Sequence, residues 1–333
     1  MNETMIHASA LTKHFTTRKR TVEAVRGIDL NVEAGEMVAI LGPNGAGKST
    51  TLRMLTTLLL PTSGTAQVAG ADIRTQPRQV RSRIGYVGQG TGSGYNQRGR
   101  DELISQGRAY GMSTDQARRR AEELIASLDL SNVADRRSSS LSGGQKRRLD
   151  IALGLMHTPP LLFLDEPSTG LDPQNRANLH EHIRELRSRH DTTIVFTTHY
   201  LDEADQLAER VVVIDHGTII ADDTPERLKA EYAGDRITLT FDRADDAKRA
   251  FGHLMARAES ARGTHDGVRV VLEVDGGSRL APALLRELEE ADLPVAAVEI
   301  ARPTLDDVFL NLTGRSLRDA AASEPAATQE VPA

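Results

Sequence analysis

The sequence predicts an α/β domain with a helical insertion, followed by a small α+β domain. Three observations support this fold class. After Gly42, apolar runs of strand length alternate with helical patterns, as in domains built on a parallel sheet. Helical patterns dominate residues 90–140, and a β-α-β-α-β series follows residue 230. We therefore predict domains at 1–230 and 231–315, and a disordered tail rich in Ala, Ser, Pro and Glu at 316–333.

The first element with a chemical signature is the strand-like run MVAIL (Met37 to Leu41), which leads into GPNGAGKS. Such a loop turns backbone N–H groups inward around an anion, and a helix, predicted from Thr50 to Leu60, adds its positive N-terminus. The spacing matches the phosphate loop G-x-x-x-x-G-K-[ST], so Lys48 is expected to reach the β- and γ-phosphates and Ser49 to bind Mg²⁺. The alternative is an ordinary strand-to-helix turn with a surface lysine. The predicted nucleotide-binding residues here are Gly42, Pro43, Asn44, Gly45, Ala46, Gly47, Lys48, Ser49 and Thr50.

The segment LSGGQ (Leu141 to Gln145) precedes KRRLDIALGLM, whose apolar positions suit a buried helix. Ser142 is the expected N-cap of that helix, because a serine hydroxyl accepts a hydrogen bond from the first free N–H groups. Ser-Gly-Gly is also common in turns, so helix capping alone is an alternative explanation for this motif.

Two acids, Asp165 and Glu166, end the apolar run LLFL, which is typical of a strand covered on both faces. In open α/β sheets the carboxyl ends of the strands form the ligand-binding edge. We therefore expect Asp165 to hold Mg²⁺ and Glu166 to act as the general base toward water. A pair of acids that caps the next helix is the alternative.

His199 follows the β-branched run Thr192 to Thr198, which predicts another buried strand. A single histidine at a strand end is more often structural than catalytic. Its place 34 residues after Asp165, with YLDEADQLAERVVVIDHG behind it, favours a catalytic role. His199 is also the last of five motifs, after the phosphate loop, LSGGQ, LLFLDEP and GLD (Gly170 to Asp172).

In this order the five motifs resemble the nucleotide-binding subunits of ATP-binding cassette (ABC) transporters, since other phosphate-loop ATPases lack LSGGQ upstream of the acidic strand. The resemblance implies a P-loop ABC ATPase domain with a helical subdomain at about 90–140. It also implies a homodimer in which LSGGQ of one subunit contacts the γ-phosphate held by the other, so that Mg-ATP lies between them. The signature residues assigned to this contact are Ser142, Gly143, Gly144 and Gln145.

The resemblance assigns further residues. His199 is the switch histidine at the γ-phosphate, and Gln89 senses Mg²⁺ and the attacking water, which makes both catalytic together with Glu166. Phe15 falls where an aromatic ring stacks on adenine, although the family usually has tyrosine there. Asp172 matches the aspartate that bridges the two subunits' sites. Solvent exposure of Gln89, core packing of Phe15 and helix capping by Asp172 are the respective alternatives.

Composition agrees with this assignment. The net charge of −6 gives no reason to expect a nucleic-acid partner, and the absence of cysteine excludes disulfides and thiolate metal sites. No apolar run approaches the roughly 18 residues of a membrane span. We therefore expect no membrane span in this sequence, and the resemblance implies a peripheral protein on the cytoplasmic side of the membrane that works with an integral-membrane permease.

The C-terminal part, with the ending ARPTLDDVFLNLTGR, resembles the extension of daunorubicin-resistance-type ATPases, so that the resemblance covers about residues 7–315. It implies export of drugs or antibiotics through a separate permease. Export of lipid or polysaccharide is the first alternative. A soluble ABC ATPase acting on ribosomes or DNA is a weaker one, because such proteins usually carry two cassettes or a long coiled coil. A P-loop kinase or GTPase would explain neither LSGGQ nor His199.

Overall fold

The computed structural model describes residues 3–16, 21–90, 92, 94, 96–190, 192–257, 262–274 and 276–314. The chain forms two compact units that divide between Thr224 and Pro225. The boundary predicted after residue 230 falls inside a helix, Pro225–Tyr232. The tail predicted to be disordered, 316–333, lies outside the described residues. Among the helices that the structure describes, none is both long and apolar enough to cross a membrane.

The first unit contains two sheets with helices packed beside them. Its strands are β1 (Thr4–Thr16), β2 (Thr21–Glu33), β3 (Met37–Leu41), β4 (Ser63–Val68), β5 (Ala71–Asp72), β6 (Ile84–Val87), β7 (Leu161–Asp165), β8 (Thr193–Thr198), β9 (Arg210–Asp215) and β10 (Thr218–Asp223). Its helices are α1 (Lys48–Leu55), α2 (Pro77–Arg83), α3 (Gly99–Ala109), α4 (Thr114–Ser127), α5 (Gly143–Leu155), α6 (Pro173–His190) and α7 (Leu201–Leu207).

The central sheet has the order β10-β9-β3-β8-β7-β6, and its strands are parallel except for β10. Every residue of β3, β7 and β8 is buried, as expected of strands covered on both faces. A second, antiparallel sheet of order β2-β1-β4-β5 packs into the same core. The sequence patterns had not predicted this second sheet.

The helix predicted from Thr50 to Leu60 is wrong at both ends, because α1 spans Lys48–Leu55. The helix ends early because Thr57 adopts a left-handed backbone conformation, with φ of 63°.

The helical patterns within 90–140 correspond to α3 and α4. Helix α4 begins with a capping box in which Ser113 and Gln116 exchange hydrogen bonds, and it buries the face that contains Ala117, Ala121, Leu124 and Ile125.

The second unit begins with α8 (Pro225–Tyr232) and continues through β11 (Asp235–Thr240), α9 (Ala244–Arg257), β12 (Arg262–Asp266), β13 (Arg269–Val274), α10 (Gly277–Glu290), β14 (Ala297–Ala301) and α11 (Leu305–Thr313). The predicted β-α-β-α-β series is therefore corrected to β-α-β-β-α-β, in the antiparallel order β12-β13-β11-β14 of a split βαβ fold. Strand β12 has the sequence RGTHD, which lacks an apolar alternation and gave no strand signal.

Candidate functional site

The predicted site residues follow neighbouring parallel strands. In the sheet register Leu41 of β3 pairs with Thr198 of β8, and Asp165 of β7 pairs with Thr197. The carboxyl ends of these strands therefore meet at one edge of the sheet, where ligands bind in open α/β folds.

The phosphate loop, residues 42–49, needs glycine at two positions for steric reasons. A Cβ on Gly42 would lie 2.2 Å from the carbonyl oxygen of Ile214, and a Cβ on Gly47 would lie 2.5 Å from that of Ala24. Gly47 also has a φ of 106° and is the N-cap residue of α1. The loop therefore lies close against the sheet and opens directly into the N-terminus of a helix, an arrangement that binds anions.

Lys48 is the first residue of α1, and its side chain is only 4% exposed. Its Nζ donates hydrogen bonds to the carbonyl oxygens of Gly42 and Pro43, at 2.7 and 2.9 Å. The same ammonium lies 3.7 Å from Oε1 of Glu166. Lys48 thus links the phosphate loop to the acidic end of β7.

Asp165 is fully buried and receives several polar contacts. Its Oδ1 accepts hydrogen bonds from the hydroxyls of Ser49 at 2.8 Å and Thr197 at 2.7 Å. Gln89, just beyond β6, donates from Nε2 to the Ser49 hydroxyl at 3.3 Å. By contrast, Oδ2 of Asp165 is buried without a hydrogen-bond partner. Such an oxygen is costly to leave unpaired, and oxygen atoms are the ligands that hard cations such as Mg²⁺ prefer.

Glu166 is almost completely buried, and its backbone φ of 46° lies in the left-handed region, which is strained for a non-glycine residue. Its Oε2 accepts a hydrogen bond from Thr169 Oγ1 at 3.0 Å and lies 3.2 Å from Nδ1 of His199. Burial alone would raise the pKa of Glu166. The contact with His199 and the charge of Lys48 outweigh burial, so its pKa lies below the usual value.

The LSGGQ segment begins α5 as predicted. The Ser142 hydroxyl accepts a hydrogen bond from the N–H of Gln145, and the Gln145 side chain accepts one from the N–H of Ser142, which completes a capping box. Gly144 lies against Asn175, whose Oδ1 would be 2.6 Å from a Cβ at this glycine. The Ser142 side chain is exposed, so its capping role leaves it accessible to a ligand or partner.

Asp172 precedes α6 and caps it, because its carboxylate accepts hydrogen bonds from both the N–H and the side-chain amide of Asn175. These bonds lower the pKa of Asp172.

Phe15 belongs to β1 and is 37% exposed, and the Lys13 ammonium lies 5.3 Å from the centre of its ring. The structure thus brings together Lys48, Ser49, Gln89, Asp165, Glu166 and His199, whereas Ser142, Asp172 and Phe15 make their contacts elsewhere.

Sequence reasoning missed Arg147, a buried residue of α5. Its guanidinium donates to the carbonyl oxygens of Gly88, Asp165 and Pro167. Burial lowers the pKa of Arg147, and the carbonyl oxygens compensate part of this desolvation. The residue ties α5 to the segments that carry Gln89 and Glu166. An arginine in a run of basic residues gave no signal of such a role.

Thr197 was also missed, because it belongs to a β-branched run that predicts only a strand. Its hydroxyl donates to Asp165 and accepts the N–H of Glu166 at 2.9 Å. It therefore fixes the positions of both acids.

Comparison with known proteins adds independent evidence. Residues 25–169 match the family model described as "ABC transporter", and residues 224–313 match "ATP-binding protein DrrA1-3-like, C-terminal domain". The chain is 43% identical over 311 residues to "Daunorubicin/doxorubicin resistance ATP-binding protein DrrA" of Streptomyces peucetius, covering 92% of this chain and 93% of that protein. It is 38% identical over 297 residues to "Nod factor export ATP-binding protein I" of Paraburkholderia xenovorans, covering 89% of this chain and 93% of that protein.

A solved structure gives a similar result. It is a dimeric ATP-binding cassette in a post-hydrolysis state, bound to ADP and Pi. The two chains share 26% identity and superpose with a TM-score of 0.61, over 66% of this chain and 98% of that one.

Proposed function

Because this chain belongs to the ABC transporter family, in its daunorubicin-resistance type, and is an ATPase of that family, we propose that it dimerises around two molecules of Mg-ATP. The observation that carries this proposal is the cluster of Lys48, Asp165, Glu166 and His199 at one sheet edge, beside the phosphate loop. The dimeric cassette with bound ADP and Pi supports the same arrangement by similarity.

In the proposed hydrolysis the phosphate-loop N–H groups and Lys48 hold the β- and γ-phosphates. Glu166 accepts a proton from the attacking water, and its lowered pKa keeps the carboxylate ionised at neutral pH. His199, beside that carboxylate, contacts the γ-phosphate. The phosphate group is transferred to water, so the products are ADP and inorganic phosphate.

The residues present fit a Mg²⁺ ion. Ser49, Gln89 and Asp165 would hold it, and the unpartnered Oδ2 of Asp165 supports this assignment. When bound, Mg²⁺ would neutralise charge on the phosphate oxygens. Among the described residues, no group of three or more His, Cys, Asp or Glu side chains could hold a metal by itself. Magnesium usually keeps several water ligands and binds proteins through one or two carboxylates together with substrate phosphates, which agrees with a site built on Asp165 and the nucleotide.

We further propose that the ATPase drives export through a separate integral-membrane permease, to which it binds as a peripheral subunit on the cytoplasmic side. No nucleic-acid partner is expected. The relative of Streptomyces peucetius is named for daunorubicin and doxorubicin resistance, which favours drug or antibiotic efflux. Another relative is named for the export of a different compound, Nod factor, so export of a cargo other than a drug, such as a lipid or polysaccharide, is the second candidate.

The dimer is tested with Glu166→Gln, a substitution expected to preserve ATP binding while hydrolysis stops. Size exclusion should show a dimer with Mg-ATP and a monomer with ADP, because only ATP supplies the γ-phosphate that the second subunit contacts. A variant that stays monomeric at saturating ATP would contradict the proposal. Export is tested by co-expression with any permease encoded next to the gene of this chain, and wild-type and Glu166→Gln subunits are compared for drug accumulation in cells.

A further inference from the structure

Two side chains contact the ring of Tyr200, the residue that follows His199. The rings of His199 and Tyr200 have centroids 4.1 Å apart with an interplanar angle of 38°. The guanidinium carbon of Arg176 lies 4.0 Å from the centroid of the Tyr200 ring. Both distances are within the range of favourable aromatic and cation–π interactions. One ring therefore contacts both an arginine of α6 and the imidazole beside Glu166.

Arg176 is held in place from two directions. Its backbone N–H donates to the carbonyl of Asp172 at 3.0 Å, in the first turn of α6. Its guanidinium lies 3.8 Å from the Asp202 carboxylate of α7. The Nε of Arg176 is buried without a hydrogen-bond partner, so the position of the guanidinium rests on the ion pair and on the Tyr200 ring.

His199 depends on such neighbours for its orientation. Its side chain is 27% exposed, and its Nδ1 lies 3.2 Å from Oε2 of Glu166 without the geometry of a hydrogen bond. A partly exposed imidazole can rotate about its side-chain bonds, and a wrong rotamer would remove it from the carboxylate. The Tyr200 ring restricts that rotation.

We propose that Arg176 and Tyr200 are positioning residues that hold the His199 imidazole toward Glu166, and that they link the GLD segment to this histidine. Arg176 fixes the Tyr200 ring, and the ring fixes the imidazole. Both contacts involve the Tyr200 ring, so the proposal assigns no role to its hydroxyl. The proposal rests on the catalytic role proposed for His199, and the experiment separates the two.

The test is steady-state ATP hydrolysis by the full-length chain carrying Tyr200→Leu, Tyr200→Phe or Arg176→Gln. Tyr200→Leu and Arg176→Gln should lower kcat about 3- to 10-fold with KM for ATP unchanged, the loss expected when one aromatic or cation–π contact that orients the imidazole is removed. Tyr200→Phe should retain wild-type kcat. The matched control is Arg184→Gln, because Arg184 also lies on α6 and bonds to α7 through the Gln206 carbonyl. It should leave kcat unchanged.

The decisive measurement is the double variant His199→Ala with Tyr200→Leu. If Tyr200 acts through His199, the double variant should have the kcat of His199→Ala alone, within about twofold. Multiplicative losses would overturn the proposal, as would equal damage from Tyr200→Phe and Tyr200→Leu. If His199→Ala itself keeps full activity, the catalytic role of His199 fails instead. Arg176→Gln supplies the same comparison if Tyr200→Leu does not fold.

Discussion

Nδ1 of His199 lies 3.2 Å from Oε2 of Glu166, although the two residues follow different strands. The sheet register brings them together, because β7 and β8 are neighbours that end at the same edge. A cationic or hydrogen-bonding ring beside a buried carboxylate favours the ionised carboxylate. The same carboxylate approaches Lys48, so the three groups form one electrostatic unit.

Lys48 and Glu166 have different proposed roles, in ATP binding and in hydrolysis, and this difference gives the first prediction. Lys48→Ala should weaken ATP binding at least about tenfold, because a charge-assisted contact is worth about 1.5–3 kcal/mol. Glu166→Gln should retain ATP affinity and lose about 10²- to 10⁴-fold in turnover, the usual contribution of a general base. Nucleotide titration and phosphate release measure the two effects. An equal loss of affinity in both variants would contradict the assignment.

The role of His199 gives the second prediction. His199→Ala should lower turnover by about 10²-fold, the cost of removing one group that stabilises charge in the transition state. It should change the unfolding free energy by less than about 1 kcal/mol, because the side chain is partly exposed and contributes little packing. Phosphate release and thermal unfolding are measured on the same samples. A large fall in Tm with normal turnover would instead indicate a structural histidine.

Much of this site could be predicted from the sequence, because strand ends carry its residues. Asp165 and Glu166 lie at the end of one recognisable apolar run, the phosphate loop that leads to Ser49 follows another, and parallel strands place such ends together. Arg147 and Thr197 could not be predicted in the same way. Their roles depend on hydrogen bonds to groups that are distant in sequence. From the neighbouring residues alone, Arg147 looks like any charged residue of a helix and Thr197 like any residue of a strand. Strand β12 was missed for a related reason, since pairing with β13 overrides its weak propensity.

Arg147 gives the third prediction. Arg147→Met should lower the free energy of unfolding by at least about 3 kcal/mol, because it leaves three carbonyl acceptors without their donor and buried unsatisfied groups cost about 1–3 kcal/mol each. Urea denaturation measures the change. Arg119→Met is the matched control, since Arg119 is exposed on α4, and it should stay within about 0.5 kcal/mol of wild type. Equal stability of the two variants would show that Arg147 is not a structural link.

The lowered pKa of Glu166 gives the fourth prediction. A depressed pKa means that the folded state binds the proton less readily than the unfolded state, so ionised Glu166 adds stability above the unfolded pKa. That stability is lost as pH falls through the lower, folded pKa. The unfolding free energy of wild type relative to Glu166→Gln should therefore fall as the pH drops below about 4.5. Denaturation at several pH values measures it, and a constant difference down to pH 3.5 would refute the prediction.

The last prediction concerns Ser142, whose side chain is exposed although its hydroxyl caps α5. If LSGGQ contacts the γ-phosphate on the other subunit, an arginine at this position places bulk at the dimer interface but leaves the phosphate loop of its own chain intact. In the Glu166→Gln background, Ser142→Arg should therefore abolish the ATP-dependent dimer and keep ATP affinity within about threefold of the parent.

Losing the cap itself costs about 1 kcal/mol, so Tm is measured to confirm that the variant remains folded. Ser82→Arg serves as the control, because Ser82 is an exposed serine at the end of α2 and should permit the dimer. Sedimentation with and without Mg-ATP distinguishes the two variants. A Ser142→Arg protein that dimerises as well as Ser82→Arg would exclude a shared site at LSGGQ, since the γ-phosphate contact could not survive that substitution.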